Sequence, residues 1–268
     1  MEIYHYTSLN ALMGILQGLG SIPSEHEKDL CLWGSRFDCM NDAIDCQFAL
    51  QLSEQIIKKI KPDYSHPPRT VYPYVVSFCI KEDYLSMWRL YSSYVCLKFN
   101  KDVLEKSLNG NDTILHDCKY SKNNIEDIAK SYNELFTEND RAEDLDIWTN
   151  AQCAASFIKH NSFEEEQECR LVHFRSGNKT SISIKGSENP IQISEDTSDL
   201  CFRTEGNRLV PFHKFYLPAA ALKGIIVREY DEDTFKRVKA GIKLVLQQRS
   251  IKIDDKEIVQ SSACRINK

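Results

Sequence analysis

Several chemistries are excluded by what the chain does not contain. No two of its ten cysteines stand in a CxxC spacing, which removes zinc ribbons and fingers. No Gly-rich phosphate loop of either common type occurs, so the ordinary nucleotide-hydrolase and Rossmann readings fall away. A GxSxG elbow and an HExxH helix are also missing, leaving serine-hydrolase and zinc-protease chemistry without support. No apolar run is long enough to span a bilayer, and the start, Met1-Glu2-Ile3-Tyr4-His5, has neither the basic region nor the long apolar region of a secretory signal. A net charge of -5 argues against a broad basic face for nucleic acid or for a membrane surface. Internal repeats, low-complexity blocks and linkers are absent as well. The expectation is a cytoplasmic protein whose cysteines, several inside apolar runs such as Val76-Ser77-Phe78-Cys79-Ile80, are free thiols.

What is present is an ordinary globular composition: 268 residues, 42% hydrophobic and 27% charged, enough to bury a substantial core. Alternating or continuous apolar runs predict strands over 2–6, 30–35, 72–80, 94–99, 113–120, 181–184, 209–216 and 222–227, with a last one starting at 251–254. Helical spacing places Leu9, Leu12, Met13 and Leu16 on one helix, ended by Gly18 and Gly20, and Phe48, Leu52, Ile56 and Ile60 on a second. Ile125, Ile128, Tyr132 and Leu135 mark a third helix, Ile147, Ala151, Ala154 and Ile158 a fourth. Phe235, Val238, Ile242 and Leu246 mark another, capped by Asp231. A polar connecting segment is expected over 185–199. These elements predict a single α+β domain over 1–268, a mostly antiparallel, split sheet system with interrupting helices.

The unusual chemistry concentrates in Phe163-Glu164-Glu165-Glu166-Gln167-Glu168-Cys169-Arg170-Leu171-Val172-His173-Phe174. As an extended strand this puts Glu166, Glu168 and Arg170 on the face that also carries Val172 and Phe174, while Cys169, Leu171 and His173 take the other. Charges on a core-bearing face belong at a cleft edge or in a buried ion pair. Glu164 and Glu165 read as solvated neighbours. His5, Tyr6 and Thr7 fall where a strand hands over to a helix, a place where short polar groups meet ligands, although Tyr4 and Tyr6 read equally as core aromatics. Asn41 and Asp42 are turn and cap residues. Trp88 and Tyr91, three apart on a helical turn, form either an aromatic wall for a planar ligand or a pair of core anchors.

The ordered set Tyr4-His5-Tyr6-Thr7-Ser8, Phe37-x-x-Met40-Asn41-Asp42-x-x-Asp45, Ser77-Phe78 with Met87-Trp88-x-x-Tyr91, Glu166-x-Glu168-x-Arg170, Leu209-Val210-Pro211-Phe212 and Ser262-x-x-Arg265 resembles the bacterial domain-of-unknown-function family 2971. It departs from that pattern at Ala43, Asp45 and Cys264. The same residues bear a weaker resemblance to the ADP-ribosyltransferase fold, whose members often carry a His-x-Thr-like first strand, a Ser or Tyr on a middle strand and a late Glu-x-Glu. That resemblance implies an NAD-consuming ADP-ribosyltransferase-like enzyme or NAD glycohydrolase, in a bacterial defence or toxin setting, with NAD as substrate and no metal. His5 and Thr7 would hold the ribose and amide parts of NAD, Ser77 would stand on the middle strand, and Trp88 or Tyr91 would stack a ring. Glu168 would stabilise the ribosyl cation, Glu166 would orient or deprotonate an acceptor, and Arg170 or Arg265 would grip pyrophosphate. Asn41 and Asp42 would complete the binding residues. The implied partners are a nucleotide-like small molecule and a protein or nucleic-acid acceptor, with no membrane. The alternative from the same residues is a non-catalytic nucleotide-sensing or partner-binding module.

Overall fold

The computed structural model describes residues 1–17, 26, 27, 29–40, 48, 51, 54, 55, 57, 58, 62, 71–90, 93–108, 113–121, 153–176, 180–182, 191–193 and 200–263. Its strands are β1 (Glu2–Thr7), β2 (Asp29–Arg36), β3 (Val71–Cys79), β4 (Val95–Asn100), β5 (Thr113–Asp117), β6 (Lys119–Ser121) and β7 (Ile158–His160), followed by β8 (Glu168–Ser176), β9 (Thr180–Ile182), β10 (Ile191–Ile193), β11 (Cys201–Glu205), β12 (Arg208–Pro218), β13 (Leu222–Val227) and β14 (Ile258–Gln260). Helices cover Leu9–Gln17, Leu85–Leu90, Lys101–Leu108 and Glu232–Gln248. The fold is α+β and mostly antiparallel. Parallel pairing is confined, among the described residues, to β13 with β14 and β6 with β7.

Ten strands form one sheet in the order β11-β12-β2-β3-β1-β4-β13-β14, with β8 and β5 added from β3. β8 pairs β3 along its whole length, from Val71↔Ser176 to Cys79↔Glu168. That occupies one edge of β3, so β2 and β1 share the other. β2 docks at Ser35↔Val75 and Arg36↔Tyr74, and β1 docks at Tyr4↔Cys79. Between those contacts Val76, Ser77 and Phe78 have no ladder partner on that edge among the described residues, and the sheet is split there.

Both faces of the central strands are buried, which explains their near-continuous apolar runs. Ile3, Phe78, Leu97, Phe99, Ile225 and Ile258 belong to the main core, and the helix Glu232–Gln248 packs Ile242 and Leu246 against it. Asp231 caps that helix as expected, its carboxylate accepting from Thr234 N at 2.7 Å. Gly34 is required by packing: a Cβ there would lie 2.2 Å from Phe215 Cε2.

The strand expected over 113–120 is broken at Cys118, because the Cys118 amide donates to Glu168 O and the Lys119 amide to Phe157 O, each at 2.8 Å. The chain thus leaves β8 and pairs β6 with β7 instead. Ile158 is therefore a strand residue, where helical spacing placed it on a stripe. Residues 251–254, where a strand was expected, form none and have no strand pairing among the described residues. Ile251 closes the helix before it, its amide donating to Leu246 O at 2.8 Å, and the final strand comes later, at β14. The segment expected to be a polar connection over 185–199 contains β10, and β11 was not expected. The expected helices over 48–60 and 125–158 fall largely outside the described residues.

β8 and β12 also bring His173 and His213 together, stacked at 4.0 Å with 10° between their planes. Arg175 Nη2 lies 3.1 Å from His213 Nδ1. Burial, and then the charges of His173 and Arg175, hold His213 down to about 2, from the usual 6.5. It is neutral in the folded chain and takes a proton only on unfolding. Its contribution is full above the unfolded value and is lost as pH falls below it. Calorimetric melting is expected to lose about 2 kcal/mol to this group between pH 7 and pH 5. His5 and His116, also lowered by burial, act in the same direction. His213→Gln should flatten the profile partly, leaving their share.

Candidate functional site

The split along β3 opens into a cleft of about 730 Å³, walled by β1, the helix Leu9–Gln17, β2, β3, β11 and the segment leading into β8. His5, Thr7, Ser77, Glu166 and Glu168 all line it. Tyr4 faces Cys79, and Cys79 faces Glu168, so these three share one side of the sheet. By strand alternation His5 belongs to the opposite side of β1. It reaches the cleft because the β1–β3 ladder stops at Tyr4. The His5 ring bonds across the gap, with Nδ1 2.9 Å from Ser77 O. A carbonyl only accepts, so Nδ1 carries the proton and Nε2 the lone pair in the neutral ring. Burial lowers the His5 pKa against the opposing pull of the Ser77 carbonyl, which favours that neutral form.

A buried charge cluster forms the wall opposite. Glu168 Oε1 accepts from Arg170 Nε at 2.9 Å, and Oε2 accepts from Arg170 Nη2 at 3.0 Å and Lys159 Nζ at 2.8 Å. Lys159 Nζ also donates to Glu166 Oε2 at 2.9 Å. Burial alone would push the Glu168 carboxyl up, but the Arg170 and Lys159 charges and hydrogen bonds outweigh it and hold the group down to about 2. The local chain makes this possible. A 3-10 turn over Asn161–Glu166 ends at Gln167 in the left-handed region, φ 42°, turning Glu166 and Glu168 onto the same lysine. Ile80 N locks that turn by donating to Gln167 O at 2.9 Å, and Cys79 Sγ donates to Glu166 O at 3.1 Å.

Not every residue expected at the site reaches it. Arg170 is 0% exposed. Besides holding Glu168, it donates from Nη1 to Ser156 O at 2.7 Å and lies over the Phe37 ring. It therefore positions a carboxylate and has no surface with which to grip pyrophosphate. Trp88 is also 0% exposed. Its indole donates to Asp83 Oδ1 at 2.8 Å and its ring meets Tyr6 edge-on, centroids 4.9 Å apart. It is a core anchor, with no face left for a ligand ring. Tyr6 lines the cleft, yet its hydroxyl is committed to Lys81 O at 3.1 Å and Tyr84 N at 2.8 Å. Asn41, Asp42, Tyr91 and Arg265 lie outside the described residues. Glu164 and Glu165 are exposed, as expected of solvated neighbours.

Sequence reasoning missed Lys159, and the one available signal was that two glutamates on a core-bearing face need more than one cation. Trp33, Ser35 and Arg203 were missed too, although all three line the cleft. Among the described residues no group of three or more His, Cys, Asp or Glu side chains could hold a metal ion. No helix among them is long and apolar enough to cross a membrane.

The family model described as protein of unknown function (DUF2971) matches residues 87–171. That stretch runs from the helix carrying Trp88 through Glu166, Glu168 and Arg170, so the family resemblance read from the sequence holds there. No curated protein and no solved structure matches the chain.

Lys159 faces two carboxylates, and its side chain is 4% exposed. Lys159→Met would remove the lysine charge that Glu166 and Glu168 share. Urea denaturation at neutral pH is expected to show a loss of about 3–5 kcal/mol. Adding Glu166→Gln to Lys159→Met should recover part of it.

Proposed function

We propose that the cleft takes NAD and that the chain is an ADP-ribosyltransferase-like enzyme or an NAD glycohydrolase. The observation that carries this reading is the meeting of His5, Thr7 and Ser77 with Glu166 and Glu168 around one cleft. Breaking the nicotinamide–ribose bond leaves positive charge on the ribose, and an ionised carboxylate nearby lowers the barrier to it. Glu168, held down to about 2, is an anion throughout the physiological range. Lys159 and Arg170 fix its orientation. In the hydrolytic version the C–N bond breaks with its electron pair leaving on nicotinamide, water oxygen bonds to the ribose carbon, and the water proton passes through Glu166 to solvent. His5, with its bare Nε2, offers an acceptor for a ribose hydroxyl.

A specific observation favours a second reading, a nucleotide-sensing module without turnover. Both Glu168 oxygens already accept hydrogen bonds from cations, which weakens the field available to a substrate cation.

Nicotinamide release from NAD, followed chromatographically, separates the two. Turnover by the wild-type chain that drops about 100-fold or more in Glu168→Gln supports the enzyme. Calorimetric binding of NAD with no release supports the sensor. Neither binding nor release sinks both.

A further inference from the structure

We propose that Arg203, with Ser35 and the Trp33 indole, forms a phosphate subsite in the cleft, one that deepens the nucleotide reading above and rests on it for the remainder of the ligand.

The residues meet because of strand register. Trp33 pairs with Lys214 and Ser35 with Phe212 between β2 and β12, while Val210 pairs with Arg203 and Phe212 with Cys201 between β12 and β11. Side chains at paired and alternate positions share a face, so Trp33, Ser35, Phe212 and Arg203 all stand on one side of the sheet. Ser35 in turn pairs with Val75, which continues that face to Ser77 and Glu168. The rings stack in series. Trp33 lies on Phe212 at 4.4 Å with 22° between planes, and the Arg203 guanidinium sits 6.0 Å from the Phe212 centroid.

This arrangement orients the Arg203 fork without exhausting it. Nη2 donates to Ser35 Oγ at 2.8 Å, and the nearest carboxylate, Glu205, is at 3.8 Å, beyond hydrogen-bonding length. A guanidinium has five N–H donors in a plane that matches two phosphate oxygens at once. The second, independent sign is Trp33. Among the described residues its Nε1 is buried with no oxygen or nitrogen acceptor, and it is met by the Cys31 thiol, a weak acceptor. An indole N–H held only by a thiol is weakly satisfied, and a phosphate oxygen would be the stronger acceptor for it.

Charge points to the same place. Among the described residues lining the cleft, Arg203 is the permanent cation, and Glu166, Glu168 and Glu205 are the carboxylates. Lys159 and Arg170 are spent on Glu166 and Glu168. A phosphate drawn to Arg203 stands beside Glu205 but away from the cation-paired Glu166 and Glu168, leaving the reacting end of a dinucleotide nearer to those two.

Titration calorimetry of the full chain with ADP-ribose, inorganic pyrophosphate and adenosine tests the subsite. Wild type should bind ADP-ribose and pyrophosphate. Arg203→Gln should weaken both by about 10–100-fold, the worth of a hydrogen bond to a charged group, and leave adenosine unchanged. Equal affinity of Arg203→Gln and wild type for both phosphate ligands overturns the proposal. If melting shows that Arg203→Gln does not fold, Arg203→Lys decides: it keeps the charge but loses the fork, and wild-type affinity in it overturns the subsite. Pyrophosphate binding that depends on Arg203, without ADP-ribose binding, upholds the subsite and removes the nucleotide reading. Binding of neither ligand by wild type overturns the subsite itself.

Discussion

The shared edge of β3 is the constraint from which the rest follows. One strand edge accommodates β2 at Val75 and β1 at Cys79, and the interval between them is too short for either to continue. Backbone groups facing a dry gap are costly unless something bonds them, and the Ser77 carbonyl is met by the His5 ring. The ring therefore has Nδ1 committed to the backbone. Had β1 continued along β3, His5 would face the core side beside Phe78, with which it still makes a ring contact at 5.7 Å, and no cleft would exist.

Across the cleft the structure meets a different cost. Taking two carboxylates, a lysine and an arginine out of water is unfavourable by several kcal/mol per ion and is offset only when the geometry satisfies all of them together. The cluster meets that demand by folding neighbouring segments of one stretch of the chain onto each other. Lys159 comes from β7, Glu168 and Arg170 from β8, and the Ser156 carbonyl from the turn before β7. Glu168 N completes the set by donating to Tyr120 Oη at 2.7 Å. Glu168 faces two of the cations at once, so the field of the cluster falls off quickly with distance and its effect on a ligand is local, at the carboxylates that line the cavity. This is why the orientation of Glu168 and Glu166 matters more than their number.

Most of the fold was legible because its strands are buried on both faces and announce themselves as apolar runs; β1, β3, β4 and β13 fall where 2–6, 72–80, 94–99 and 222–227 predicted them. What escaped was set by contacts between distant segments. No local pattern in 113–120 shows that Cys118 and Lys119 bond Glu168 and Phe157, and the short β7 has only three residues in which to display an alternation. β11, reading Cys-Phe-Arg-Thr-Glu, alternates in half-buried and exposed positions, and an edge strand of that kind resembles a loop in composition.

The site was legible in the same uneven way. Alternation along β8 correctly joined Glu168 and Arg170, because it is a local property, whereas Glu166, expected on the same strand face, ends the 3-10 turn before β8 and meets Glu168 only through Lys159. Depth is not local. A guanidinium two residues from a glutamate reads the same whether it projects into a cleft or lies beneath it, and the deciding facts, Phe37 over Arg170 and Ser156 O against its Nη1, come from segments that sequence cannot juxtapose. Trp88 follows the same logic: its indole needs an acceptor when buried, and Asp83, five residues earlier, supplies it. Asp83 in turn holds the chain at Ser262, accepting from its amide at 2.6 Å and its hydroxyl at 2.7 Å. An aromatic that anchors such a junction is fixed on every side. It can shape the cleft only by holding Tyr6 in place, so recognition falls to the residues whose donors and acceptors the fold leaves unspent.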